Sequence, residues 1–254
     1  MASFLVILAA LGQFSVTAPL ATAQAQPRLW AAGADRAPGL LVNYTVGYHP
    51  GAGLDPSRPT VVIIHGINPL HPLMHMEMAQ RYSEAIASRW GSTMNVLGWN
   101  WNGHTLRGLR ASENDELAAM HGLSVAEVLL RQGAAPEWLH LVGHSSGCVV
   151  ASAAARAIAD RTGRPVDRLT LLDPVGRQHA LIFGKLQAGS AARRVDHIWA
   201  TGPTGFGSPA PYPNVRDEVF TGPAKWSGFL APGRLDHMQL VRWHIAQLGA
   251  NPWN

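Results

Sequence analysis

Short apolar runs alternate with longer amphipathic segments along most of the chain. The apolar runs are four to six residues long and predict strands at Val61–Ile64, Asn95–Trp99, Leu139–Val142, Leu169–Leu172 and Val195–Ala200. The segments between and after them, 74–90, 123–133, 147–162 and 238–249, have the apolar spacing of helices. Continuous apolar strands separated by helices are typical of a parallel sheet that is buried on both faces. The pattern predicts a single α/β domain, with the extended stretch Leu41–Gly47 at an edge of the sheet.

The first part of the chain has a different pattern. The first charged side chain is Arg28, and before it an apolar core, Phe4–Leu11, leads to small residues at Ala21–Ala25. This order predicts a cleaved secretory signal over 1–25, a mature domain over 26–254, and a secreted or periplasmic location. An uncleaved anchor is the alternative, but polar residues and Pro19 interrupt the roughly 20 apolar residues that a membrane span needs.

Composition narrows the classes of function. Charged residues are 14% of the 254 residues, and the formal net charge is +4. No basic stripe or patch is visible, so we expect no nucleic-acid partner. The single cysteine, Cys148, follows a glycine and precedes two valines, a setting that favours a small buried side chain over a nucleophile. We expect a monomer that acts on a small molecule.

The segment Leu139–Gly147 carries the most specific motif. It combines an apolar strand, the turn Gly143-His144-Ser145-Ser146-Gly147 and a following helix rich in alanine. A serine that attacks a carbonyl group must protrude from a sharp strand-to-helix turn, and glycines at both ends of the motif leave room for it. We predict Ser145 as a nucleophile, with the backbone N–H of Ser146 as one oxyanion donor.

A second oxyanion donor must come from the turn after an earlier strand. The run Thr60–Ile64 continues into His65-Gly66-Ile67. Gly66 permits a tight turn there, and the backbone N–H of Ile67 is the predicted donor.

A serine nucleophile requires a base, and four histidines follow Ser145. They are His179, His197, His237 and His244. In this strand-turn-helix arrangement the acid precedes the histidine along the chain. His237 is favoured, because it ends a long loop directly before a helical segment, whereas His197 and His244 lie within predicted elements.

The acid is expected at the carboxyl end of a parallel strand, on the same edge of the sheet as Ser145. Asp173 directly follows Leu169–Leu172 and precedes Pro174. Asp196 lies at the start of its predicted strand, and Asp217 and Asp236 fall in the predicted loop, so Asp173 is favoured.

These motifs resemble the α/β-hydrolase superfamily, and within it the lipase family typified by pancreatic lipase. The resemblance rests on Gly143–Gly147, Leu172-Asp173-Pro174, His65-Gly66-Ile67 and Asp236-His237-Met238. It implies an α/β-hydrolase fold with helices on both faces of the sheet. It also implies Ser145 as nucleophile, Asp173 as acid, His237 as base, and Ile67 and Ser146 as oxyanion donors. The chain departs from the family in having one cysteine, where secreted animal members have several disulfides, and in having Gly98 where the family has Asp.

The predicted function is therefore hydrolysis of carboxylic esters through an acyl-enzyme, without a cofactor. An amidase or peptidase would use the same residues, and a non-catalytic binding protein of the same fold is the other alternative. The predicted loop 204–236 contains several aromatic residues and could act as a flap that makes transient contact with a lipid surface. His71 and His75 have the spacing of metal ligands, but no acidic partner completes the motif, so no metal is expected.

Overall fold

A computed structural model describes residues 39–67, 74–90, 92–101, 111–201, 206–221 and 232–248. The predicted leader, 1–25, and His71 lie outside these residues.

Within the described residues, seven strands form one sheet. They are β1 Leu40–Asn43, β2 Thr60–Ile64, β3 Asn95–Asn100, β4 Leu139–His144, β5 Val166–Leu172, β6 Ala192–Ala200 and β7 Val215–Phe220. Their spatial order is β1-β3-β2-β4-β5-β6-β7. Only the β1–β3 pair is antiparallel among these neighbours. The prediction of a mostly parallel sheet with an added edge strand is confirmed.

Helices connect most of these strands. They are α1 Met74–Trp90, α2 Ala111–Arg131, α3 Gly147–Thr162, α4 Ala188–Ala191 and α5 Pro232–Leu248. Single 3-10 turns occupy Pro136–Trp138 and Gly176–Gln178, and a wider helical segment spans Ala180–Lys185. In the part of the chain that is described, no helix combines the length and the apolarity needed to span a bilayer.

Both faces of the sheet are buried, as its continuous apolar strands predict. Along β2, Val62 and Ile64 belong to one apolar cluster, and Val61 and Ile63 belong to another. Because strand side chains alternate between faces, the two clusters lie on opposite sides of the sheet. Residues of α2 and α3 complete the first cluster, and residues of α1 and α5 complete the second. The predicted fold class, with helices on both faces, is confirmed.

Several predicted boundaries are wrong, and β5 and β6 each begin three residues earlier than predicted. Helix α2 begins at Ala111 rather than 123, and α5 begins at Pro232 rather than 238. The predicted loop 204–236 is not a single loop, since it contains β7 and the start of α5. The first residues of β7, Val215-Arg216-Asp217-Glu218, resemble a loop sequence because β7 ends the sheet within the described residues and exposes Arg216 and Asp217.

The register places the carboxyl ends of the central strands level with one another, at one end of the sheet. Ile64 is level with Gly143, Gly143 is level with Leu171, and Leu172 is level with Ile198. The residues that follow these positions therefore emerge side by side, and a functional site is expected there.

Candidate active site

Ser145 occupies a strained turn between β4 and α3. Its φ is +54°, a left-handed value that costs a non-glycine residue about 1–2 kcal/mol. Two hydrogen bonds hold the turn: the Ser145 N–H donates to the Leu172 carbonyl at 2.9 Å, and the Cys148 N–H donates to the Ser145 carbonyl at 2.9 Å. This is the strand-turn-helix geometry in which a serine hydroxyl is presented at the end of a sheet.

The glycines of the motif permit close backbone contacts. A Cβ on Gly147 would lie 2.5 Å from the carbonyl oxygens of Ile64 and His65, and one on Gly143 would lie 2.6 Å from the Gly147 oxygen. Real Cβ atoms do not approach backbone this closely, so both positions require glycine for steric reasons. The turn Gly143–Gly147, called the elbow below, therefore lies in direct contact with the end of β2.

The turn after β2 lies against the serine. A Cβ on Gly66 would be 2.6 Å from the Ser145 Cβ and 3.2 Å from its Oγ. Ile67, the next residue, is partly buried against the apolar cluster of α2 and α3. The predicted oxyanion turn and the predicted nucleophile are thus neighbours.

The ring of His65 braces this turn. Its Nδ1 lies 2.7 Å from the Gly66 carbonyl oxygen, and its Nε2 lies 3.3 Å from the backbone nitrogen of Trp101. A carbonyl oxygen requires a donor and an N–H requires an acceptor, so these partners favour a neutral ring with its proton on Nδ1. The Trp101 indole N–H also donates to the His65 carbonyl, at 2.9 Å.

Ser146 stands at the start of α3, as its cap residue. The first N–H groups of a helix have no partner within the helix, and the helix dipole favours negative charge there. The Ser146 N–H is therefore suited to binding an oxyanion that develops beside Ser145.

Asp173 directly follows β5 and is fully buried. Its Oδ1 accepts hydrogen bonds from the backbone N–H groups of Ala200 at 3.1 Å and Gly207 at 3.0 Å, and its Oδ2 accepts one from Phe206 at 3.3 Å. Burial by itself raises the pKa of this carboxyl, but His237 and the backbone donors outweigh burial and lower the pKa below its usual value. The carboxylate is therefore held in its charged form.

His237 bonds to this carboxylate. Its Nδ1 lies 2.5 Å from Oδ2 of Asp173, although the two residues are 64 positions apart. The prediction that His237 ends a loop is wrong, since it lies inside α5. A helix holds the imidazole more firmly than a loop would, because the backbone hydrogen bonds of the helix limit its motion.

Two rings flank the imidazole of His237. The ring of His144 lies with its centroid 4.2 Å away, and its Nε2 is 3.3 Å from the His237 carbonyl oxygen. The ring of Phe206 meets the imidazole at 83°, with the centroids 4.9 Å apart. In the sequence, His144 is only the residue before the predicted nucleophile, and Phe206 is one aromatic residue of 204–236. No local signal links either residue to His237.

Two of the other candidate acids, Asp196 and Asp217, each bond to a different partner. Asp196 lies in the middle of β6, not at its start, and its Oδ2 accepts from Arg168 Nε at 2.6 Å. Asp217 is not a solvated loop residue, because it lies on β7 with Oδ1 2.6 Å from Nδ1 of His197.

Of the two remaining candidate histidines, His244 is buried, with Nδ1 2.7 Å from the Tyr82 hydroxyl. His179 is also buried, with its ring centroid 5.1 Å from that of His197. Asp236 is in α5, but its side chain lies outside the described residues.

Cys148 lies next to the turn that carries Ser145, but as a fully buried side chain. Burial raises the pKa of the Cys148 thiol, and its Sγ donates to the Gly143 carbonyl at 3.2 Å. Among the described residues, no three or more His, Cys, Asp or Glu side chains are grouped as a metal site would require. The side chain of His75 is outside the described set.

The strand order, the strained turn at Ser145 and the buried aspartate at the end of β5 together define an α/β-hydrolase fold. The sequence matches no protein-family model, and no curated protein matches it either.

Solved structures of low sequence identity have a similar chain path. An alpha-beta serine hydrolase homologue from Coxiella burnetii is 13% identical, with 83% of this chain and 90% of that chain covered and a TM-score of 0.46. Esterase 2 of Thermogutta terrifontis is 11% identical, with 87% and 91% covered and a TM-score of 0.46. An a/b serine hydrolase without a lid from Xanthomonas campestris is 14% identical, with 85% and 88% covered and a TM-score of 0.47.

Proposed function

We propose that the protein is a serine hydrolase that cleaves carboxylic esters through an acyl-enzyme. The observation that carries the proposal is the hydrogen bond between His237 Nδ1 and Asp173 Oδ2, 2.5 Å long, at the edge of the sheet where Ser145 stands on its strained turn. A buried carboxylate that orients an imidazole, at the same end of the sheet as a serine on a strained turn, is the arrangement expected of a serine nucleophile with its base.

In the first half of the reaction, Ser145 Oγ attacks the carbonyl carbon of the ester. His237 Nε2, the ring nitrogen opposite Asp173, takes the hydroxyl proton, and the carbonyl oxygen becomes an oxyanion. The N–H groups of Ile67 and Ser146 donate to that oxyanion, in a water-poor setting where such bonds are strongest. The bond to the alcohol oxygen then breaks, and the imidazolium returns the proton to that oxygen.

In the second half, water replaces the alcohol. His237 takes a proton from water, the hydroxide attacks the acyl carbon, and Ser145 leaves with its proton restored. Every proton is returned and no electron is transferred, so the reaction requires no cofactor.

The resemblance to the pancreatic-lipase family supports a lipid or other apolar ester as the substrate. We also propose export after removal of 1–25. Mass spectrometry of the protein recovered from the culture fluid tests export: an N-terminus near residue 26 supports it, and a retained leader contradicts it.

Labelling with a fluorophosphonate probe tests the catalytic proposal. We expect the wild type to be labelled and Ser145→Ala to be unlabelled. Ser146→Ala is the matched control, since its proposed role uses only the backbone N–H, and it should be labelled. A folded wild-type protein that resists the probe, or a label found on Ser146, would overturn the proposal.

Matched substrates then identify the bond that is cleaved. p-Nitrophenyl esters and p-nitroanilides of the same acyl group differ only in the atom that leaves. Higher kcat/KM for the esters supports the proposal, and equal or higher values for the anilides would favour an amidase. A series of p-nitrophenyl esters of rising chain length separates esterase from lipase preference.

A further inference from the structure

Phe206 has a fixed backbone and an exposed ring. Its N–H donates to Asp173 Oδ2 at 3.3 Å, and its carbonyl accepts from the Gly176 N–H at 2.8 Å. The residue is nevertheless 53% exposed. The backbone of Phe206 is therefore anchored at the candidate site, while its large apolar ring does not pack into the core.

The ring is in contact with the proposed base. It meets the imidazole of His237 edge to face, at 83° and 4.9 Å between centroids. The side chain of His237 is itself only 12% exposed. The exposed ring of Phe206 therefore forms part of the surface next to this imidazole.

The proposed reaction identifies the part of the substrate that lies next to the imidazole of His237. The imidazolium of His237 gives its proton to the alcohol oxygen as the ester bond breaks, so the alcohol group must lie next to the imidazole. The acyl carbon, by contrast, is held at Ser145 and the oxyanion turn.

We propose that Phe206 forms the subsite for the alcohol portion of the ester and selects alcohols that carry an apolar ring. This inference rests on the proposed function. Contact between the alcohol group and the ring of Phe206 removes apolar surface of both from water, which favours binding. An aromatic alcohol is stabilised further by edge-to-face or offset packing of the two rings. A polar or very small alcohol gains little.

Acetate esters of two alcohols test the subsite, because the acyl group is then constant. We expect Phe206→Ala to lower kcat/KM for benzyl acetate about 10-fold and to leave that for ethyl acetate within about 3-fold. The inherent reactivities of the two esters cancel in the ratio of variant to wild type. Phe206→Tyr retains a ring and should keep the wild-type preference.

A control variant distinguishes a specific effect of Phe206 on the alcohol preference from the effect of removing any exposed aromatic residue. Trp138 is 49% exposed and lies before β4, at the opposite end of the sheet from Ser145. Trp138→Ala should not change the ratio of benzyl to ethyl ester. In an acyl series, ethyl acetate against ethyl butanoate, Phe206→Ala should also leave the preference unchanged.

Two results would overturn the inference. One is an equal loss on both acetate esters, which would mean that Phe206 only supports Asp173 or His237. The other is wild-type kcat/KM on both esters, which would mean that the ring does not contact the alcohol. Fluorophosphonate labelling keeps this separate from the proposed function: a labelled wild type with either result removes only the subsite, whereas an unlabelled wild type removes the hydrolase proposal itself.

Discussion

The imidazole rings of His144 and His237 lie against each other, with centroids 4.2 Å apart and an angle of 39° between their planes. The residue that precedes the proposed nucleophile thus touches the proposed base. Nε2 of His144 is also 3.3 Å from the His237 carbonyl oxygen, which ties the end of β4 to α5. We infer that His144 positions His237 relative to Ser145.

Removing the His144 ring should therefore impair catalysis without impairing substrate binding. We expect His144→Ala to lower kcat for p-nitrophenyl acetate on the order of 10-fold, because small displacements of a catalytic group are costly, and to change KM little. His144→Gln, which retains a donor for the His237 carbonyl, should recover part of the loss. A variant with wild-type kcat would show that α5 holds His237 without this contact.

Replacing the buried carboxylate at Asp173 tests the choice of acid. Asp173→Asn should lower kcat by about 10³- to 10⁴-fold, because an amide neither stabilises the imidazolium nor selects the tautomer that accepts a proton at Nε2. Asp196→Asn is the matched control: its partner is Arg168, at 2.6 Å. That variant should keep its kcat but lose about 3 kcal/mol of unfolding free energy, because a mostly buried arginine loses its counter-ion. Near-normal activity in Asp173→Asn would assign the acid elsewhere.

The close contact at Gly147 predicts a loss of stability on adding one methyl group. In Gly147→Ala the new Cβ would lie 2.5 Å from two backbone oxygens, so the elbow or β2 must shift. We expect the free energy of unfolding to fall by about 1–3 kcal/mol in urea titrations. Gly184→Ala, where the new Cβ meets no atom within 4 Å beyond its neighbours and its own helical backbone, should be at least as stable as the wild type. Equal stability of both variants would contradict the observed contact.

Buried His244 predicts how stability depends on pH. Burial, with a smaller effect of the Arg168 charge, lowers the pKa of His244 to about 3. The unfolded chain has a histidine pKa of about 6.5, so between about pH 6.5 and 3 it binds a proton that the folded protein does not. The free energy of unfolding should therefore fall as pH falls through this range, by up to about 1.4 kcal/mol per pH unit from this residue.

Urea titrations of His244→Gln between about pH 6.5 and 3 measure how much of this pH dependence comes from His244. We expect a shallower decline of stability with falling pH than in the wild type. His49→Gln is the control, because His49 is exposed, and its decline should match the wild type. If the slope of His244→Gln equals that of the wild type, His244 is not the source of the dependence.

Much of the fold could be predicted from the sequence because its elements are locally encoded. Apolar runs such as Thr60–Ile64 are buried on both faces and can hardly be other than central strands. The elbow is equally local, since Gly143, Ser145 and Gly147 fall between such a strand and an alanine-rich helix. Element ends were harder to predict: β7 exposes Arg216 and Asp217, so its polar pattern resembles a loop.

The sequence by itself determined the sheet, the strained turn at Ser145 and the position of Asp173 after β5, since each depends on residues close together in the chain. Only the tertiary structure decided which histidine meets that carboxylate. His197 bonds to Asp217, His244 bonds to Tyr82, and His237 reaches Asp173 from a helix 64 positions away. The contacts of His144 and Phe206 with His237 also depend on how α5 and the chain after β6 pack on the sheet edge. Such pairings are set by packing between distant segments, and no local pattern of residues encodes them.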